Sequence, residues 1–188
     1  KAGGDELNGG AGIDTVSYAL SPGAVVVNLA LTTAQSGGDA TGDLLSQIEN
    51  VIGSYHDDIL FGDSVTNILT GLFGKDVMAG GASNDTFDFN ITSETSKGAS
   101  RDVITDFSGF GAELDQIDLS SIDAKPANGN QAFKFIGDSK FHHKAGELRV
   151  VDKGDFFLVA GDINGNGKAD FQIEVHSIMA LVKDDFIL

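Results

Sequence analysis

Four oxygen-bearing side chains recur in this sequence at a fixed interval. Asp58, Asn67, Asp76 and Asp85 stand nine residues apart, each five residues behind a glycine: Gly53, Gly62, Gly71 and Gly80. Two residues after each comes an apolar side chain: Leu60, Leu69, Met78 and Phe87. Gly9-Gly10-Ala11-Gly12-Ile13-Asp14-Thr15-Val16-Ser17 fits the same pattern at every fixed position, and Asp5-Glu6-Leu7 is the tail of the unit before it. Aspartate supplies a hard, anionic oxygen, and glycine lets backbone carbonyls turn inward without a Cβ clash. Oxygen donors in such number suit a divalent cation, above all Ca²⁺, which takes 6–8 oxygens at about 2.3–2.6 Å.

The composition points the same way. The 188 residues hold 28 Asp plus Glu against 12 Lys plus Arg, a formal charge of −16, with 25 Gly, 2 Pro and no Cys. Without cysteine there is no disulfide scaffold, thiolate metal site or cysteine nucleophile. So acidic a chain cannot neutralise phosphates, which excludes nucleic acid and anionic membrane as partners. No apolar run approaches the roughly 18 residues of a membrane span. At 41% hydrophobic with 13 Phe, the chain has enough apolar surface to fold. Its start, Lys1-Ala2-Gly3-Gly4-Asp5, has no initiator Met or signal peptide and reads as a piece of a longer protein.

The elements that position these residues follow from the template G-G-x-G-x-D-x-U-x. Its D-x-U-x part is a short strand whose U side chain points inward. Two units make one 18-residue coil of a right-handed parallel β-roll. Loops eighteen residues apart then stack, pairing Asp58 with Asp76 and Asn67 with Asp85, with ions between. The repeat is worn: Ser54, Asp63 and Leu72 replace the second glycine, and His56, Val65 and Ser83 the third. Asn67 brings an oxygen but no charge, so the Asp58–Asp76 edge is expected to bind more firmly than the Asn67–Asp85 edge. Residues 18–52 interrupt the phase as an irregular coil, with a strand at Ala24–Leu29 and acidic loops containing Asp39 and Asp43. Val51, nine before Leu60, restores it. The first domain is thus 1–90, the roll with its insert.

Residues 91–188 form the second unit, a β cap resembling an antiparallel sandwich packed on the roll's end. Asp102-Val103-Ile104 and Asp115-Gln116-Ile117 keep the D-x-U kernel, and Asp102 stands 17 after Asp85, close to one coil. Either aspartate is a candidate to cap the last ion. A loop at 125–130 precedes strands at 131–136, 147–151, 155–160 and 171–175. Phe133, Phe135, Phe141, Phe156, Phe157 and Phe171 are the expected core. Asp162-Ile163-Asn164-Gly165-Asn166-Gly167-Lys168-Ala169-Asp170 reproduces the first nine positions of an EF-hand loop, with Gly at the sixth. Its oxygens are those of Asp162, Asn164, Asn166, the Lys168 carbonyl and Asp170. The twelfth position is Ile173 instead of a bidentate Glu, and the flanks read as strands. His56, His142, His143 and His176 make no H-E-x-x-H zinc helix, and no catalytic constellation appears. No enzymatic activity is expected of this stretch.

Together these residues resemble the RTX proteins of Gram-negative bacteria. More closely, residues from about 53 resemble the C-terminal domain of serralysin-type (M10) metalloproteases. The matching stretches are the nonapeptides, Asp102–Phe107, Asp115–Ser120, Gly161–Gly167 with Ala169-Asp170-Phe171, and the terminal Asp185-Phe186-Ile187-Leu188. The segment from Val16-Ser17-Tyr18 to Gly53-Ser54 is similar to an insert common in RTX arrays. The resemblance implies several Ca²⁺ ions, calcium-dependent folding and an extracellular location. It also implies export by a type I secretion system that reads the C-terminus, with this chain a monomeric module of a larger exported protein. A second function of another class is a module binding an anionic polysaccharide through Lys134, Lys140, Lys144, Arg149 and Lys153. A third is the non-catalytic part of a secreted zinc metalloprotease.

Overall fold

The computed structural model describes residues 3–109, 114–126 and 129–188, so Lys1, Ala2 and two residues of the loop expected at 125–130 lie outside the described residues. Among the described residues sixteen strands follow in chain order. β1 (Glu6–Asn8), β2 (Thr15–Ser17), β3 (Val26–Asn28), β4 (Leu44–Ser46) and β5 (Asn50–Ile52) build the first coils. β6 (Ile59–Phe61), β7 (Ile68–Thr70), β8 (Val77–Ala79) and β9 (Thr86–Asp88) are the regular repeats. β10 (Asp102–Ile104) and β11 (Gln116–Asp118) continue them, and β12 (Lys134–Phe135), β13 (Glu147–Asp152), β14 (Phe157–Asp162), β15 (Phe171–Val175) and β16 (Phe186–Ile187) complete the chain.

Three-residue strands separated by glycine turns cannot pair with their sequence neighbours; they pair with the strand one coil away. Two long sheets result, parallel throughout the coils, which is the architecture of a β-roll. One runs β16-β11-β9-β7-β5-β2, and the other runs β3-β6-β8-β10 and on through β15, β14, β13 and β12. Each three-residue strand turns one apolar side chain inward, as period-two alternation requires. Those side chains stack in register. Val16, Val51, Leu69, Phe87, Ile117 and Phe186 form one column. Val27, Leu60, Met78, Ile104 and Val175 form the facing one. All of these side chains are buried. At roughly 1.5–3 kcal/mol for each large apolar side chain removed from water, these columns supply the main cohesion of the roll.

The interruption at 18–52 is an irregular coil in which β3, not β4, sits beside β6, while β4 pairs with β1. The cap is continuous with the roll. β14 is antiparallel to both β13 and β15, but β15 pairs in parallel with β10 and β16 with β11. Phe133 and Phe171 are core residues, with Phe135 and Phe157 packed against the core. Phe141 and Phe156 are not: each is half-buried beneath a guanidinium, Arg149 at 5.5 Å and Arg101 at 5.1 Å from the ring centre. A cation over the open face of a half-buried ring gives such a phenylalanine a partner outside the core.

Candidate metal centre

The acidic residues sit two positions before the inward side chain of their strand, where the glycine turn hands over to the sheet. They form ladders along both edges of the roll. On one edge, Val25 N–H donates to Asp58 Oδ1 (2.7 Å), Asp58 N–H to Asp76 Oδ1 (2.8 Å) and Asp76 N–H to Asp102 Oδ1 (2.8 Å). On the other, Asn67 N–H donates to Asp85 Oδ1 (2.8 Å) and Asp85 N–H to Asp115 Oδ1 (2.9 Å). The expected pairs Asp58–Asp76 and Asn67–Asp85 are therefore brought together. Asp102 is not on the Asp85 edge that its spacing suggested. The longer connection of residues 89–101 makes only half a coil, from β9 in one sheet to β10 in the other, which returns Asp102 to Asp76 and leaves Asp85 to Asp115.

Two further rungs escaped the spacing argument. Asp5 N–H donates to Asp43 Oδ1 (2.9 Å), and Asp14 N–H to Glu49 Oε2 (2.8 Å). Their signal was present in the sequence as an acid two residues before a buried apolar one, Asp43-x-Leu45 and Glu49-x-Val51. Asp43 also accepts the Tyr18 hydroxyl (2.9 Å), and burial together with this carboxylate pushes the phenol pKa upward.

Five loops follow the nonapeptide phase, and they fall into two conformations. In the loops 9–14, 71–76 and 80–85, the second and fourth residues have positive φ: Gly10 and Gly12, Leu72 and Gly74, Gly81 and Ser83. In each of these loops Oδ2 of the aspartate, in Asp14, Asp76 and Asp85, is buried without a hydrogen-bond partner. In the loops 53–58 and 62–67, none of Ser54, His56, Asp63 or Val65 adopts positive φ. There the second residue turns its N–H onto the ladder residue. Ser54 N–H and Oγ–H donate to Asp58, and Asp63 N–H donates to Asn67 Oδ1 (2.7 Å). Asn67 Nδ2 in turn donates to the Glu49 carbonyl (2.7 Å).

Burial without a counter-charge sets the electrostatics. Desolvation pushes the Asp76 carboxyl up to about 9, with the neighbouring Asp102 and Asp58 adding to it, and pushes Asp85 and Asp102 up to about 7. Asp58 is raised as well, against the pull of its Val25 and Ser54 donors. Buried carboxylates with orphaned oxygens require either a proton or a cation.

The residues fit calcium. Asp102, like Asp76 and Asp85, leaves Oδ2 buried and unpartnered. Gly71 and Gly80 are cradled against the Asp76 and Asp85 carboxylates so closely that any Cβ would collide with them. The donors are all oxygen, as a hard ion prefers. Among the described residues no three His, Asp or Glu side chains converge as a metal cluster. Most of the six to eight oxygens would therefore come from turn carbonyls, with Asp76, Asp85 and Asp102 supplying the charge.

The other candidates are arranged differently. Asp162, Asn164, Asn166, Lys168 and Asp170 share one loop, but its side-chain oxygens face the loop's own N–H groups. Asp162 accepts Gly165 N–H (2.7 Å) and Gly167 N–H (2.8 Å), and Asp170 accepts Ile163 N–H (2.7 Å). Asp115 accepts Ser108 N–H (2.8 Å) through its second oxygen. His142 is held by Glu147 and His176 by Glu174, each at 2.9 Å, on separate strands of the cap.

A family model described as peptidase M10 serralysin C terminal matches residues 10–188 of this chain, and that of the RTX calcium-binding nonapeptide repeat, four copies, matches residues 1–17. No curated protein matches the chain. Among solved structures, a subunit of the mannuronan C5-epimerase of Azotobacter vinelandii, determined in solution, is similar with a TM-score of 0.50. The two share 23% identity over 74% of this chain and 72% of that one, a likeness of fold.

Proposed function

The chain belongs to the peptidase M10 serralysin C-terminal family, and from that premise we propose that it is a calcium-switched folding and export module of a larger secreted protein. The observation that carries this reading is the ladder of aspartates, four of which, Asp14, Asp76, Asp85 and Asp102, keep a buried oxygen with no protein donor. In a chain of net charge −16, such groups oppose folding until a cation arrives.

Extracellular calcium modules have Kd of about 10⁻⁴–10⁻³ M. At roughly ten times Kd each ion stabilises the fold by ~1.4 kcal/mol, and at submicromolar cytosolic calcium by almost nothing. The same sequence is then loose where it is made and rigid where it is delivered. A loose chain suits passage through a type I secretion channel, and the family implies that the terminal Asp185-Phe186-Ile187-Leu188 belongs to the signal. No helix of the described residues is long and apolar enough to cross a membrane.

Removal of calcium with a chelator tests the folding half. The far-UV circular dichroism signal of the roll is expected to collapse and the thermal transition to fall, and an unchanged spectrum would end the proposal. Deletion of residues 185–188 tests the export half. Cells carrying a type I system are expected to retain the truncated chain, and export at the intact rate would remove the export reading alone.

A further inference from the structure

Ladder loops of one sequence family adopt two backbone states here, and the state decides whether the carboxylate is left bare. Where the second and fourth residues are left-handed, the second N–H points away and the aspartate Oδ2 is orphaned, as at Asp14, Asp76 and Asp85. Where they are not, that N–H closes onto the ladder side chain, as at Asp58 and Asn67. The correlation holds over all five loops. Leu72 and Ser83 show that it is not a mere count of glycines, since both take positive φ without being glycine.

The closed loops have replaced more than a conformation. Asp58 receives three donors: Val25 N–H, Ser54 Oγ–H and Ser54 N–H. Three donors on one carboxylate do the electrostatic work a cation would do. Ser54 and Asp63 also brace their own turns, accepting His56 N–H (3.2 Å) and Val65 N–H (2.9 Å). Asn67 goes further: its amide N–H₂ points at the Glu49 carbonyl, and a carbonyl that accepts this donor is turned towards positive charge. The amide stands where an ion would bridge one coil to the next.

We propose that calcium enters only at loops whose second and fourth residues are left-handed, and that the loops 53–58 and 62–67 hold their rungs by hydrogen bonds in an ion's place. Ser54 and Asn67 are then determinants of ion number, and the coil between Gly53 and Thr70 is a calcium-independent segment inside a calcium-dependent roll. This inference rests on the calcium reading given above.

Ion counting by native mass spectrometry of the folded chain in saturating calcium tests it. Asp76→Asn is expected to lose at least one ion and Asp58→Asn none. Restoring the template in the other closed loop, with Asp63→Gly, Val65→Gly and Asn67→Asp together, is expected to add at least one. Loss of an ion from Asp58→Asn overturns the proposal, as does an unchanged count in the folded triple variant. If the triple variant does not fold, the Asp58→Asn count decides alone. An intact chain that binds no calcium would remove the proposed function itself, whereas a calcium-binding chain with the wrong variant counts removes only this inference.

Discussion

Leu72 and Ser83 occupy positions of φ +68 and +82 that glycine fills in the unworn loop at 9–14. A left-handed conformation costs a side-chain-bearing residue roughly 1–2 kcal/mol. Glycine relieves that strain but adds entropy to the unfolded chain. Leu72→Gly is therefore expected to raise stability in calcium by up to about 1 kcal/mol, read as a higher urea midpoint at unchanged slope. The buried aspartates make a second prediction at this scale. Asp76, Asp85 and Asp102 have folded-state pKa values raised to about 9, 7 and 7 from an ordinary 3.8. The folded, calcium-free chain thus holds protons that the unfolded chain releases. That contribution is complete below about pH 4 and is lost as the pH climbs through 7 towards 9. In chelator, the melting temperature is expected to be higher at pH 5 than at pH 8; equal values would contradict the burial of these groups. Glu174, lowered by its Arg101 and His176 partners, works in the opposite sense but only below its ordinary 4.5, outside this window.

Elements explain which stretches of the roll were legible beforehand. Strands β6 to β9 follow from the nine-residue phase because each has an oxygen-bearing Asp or Asn at the same place, the same spacing and one inward side chain. Position in the sheet was harder. Nothing local in Val25-Val26-Val27 says that it will lie beside β6, since Val25 fills the ladder slot with an apolar residue and contributes only its N–H. The destination of Asp102 was equally hidden, because the length of a connection does not say which edge it returns to. Glu49 and Asp43 were readable only to a rule that admits any acid two residues before a buried apolar one. The terminal strand β16 shows what such docking contributes. Phe186 lies in register with Ile117 and its ring is 5.5 Å from that of Phe135. Phe186→Ala is expected to cost about 3–5 kcal/mol, the usual range for emptying a buried aromatic site. Calorimetry in saturating calcium measures it, and a loss below about 1 kcal/mol would mean that the strand is only lightly held.

At the scale of the whole molecule, two kinds of electrostatics separate. The net charge of −16 repels diffusely across the surface, whereas the ladder carboxylates are buried and face one another a coil apart. Salt screens the first and hardly reaches the second, since the Debye length at 1 M is about 3 Å but applies to solvent-exposed charge. Sodium chloride at about 1 M is therefore expected to recover only a fraction of the melting temperature lost in chelator. Millimolar calcium is expected to recover all of it. Full recovery by sodium would assign the switch to surface repulsion instead.

The stacked columns carry a mechanical consequence. Between β5 and β9 every strand is bonded only to the strands one coil above and below, so no single tether spans the stack. Stretched along its axis by an optical trap, such a solenoid should come undone winding by winding. Each event releases eighteen residues, or about 60 Å of contour. The force at which each winding yields would report the strength of its own rung, with the amide-bridged winding the least altered when calcium is withdrawn.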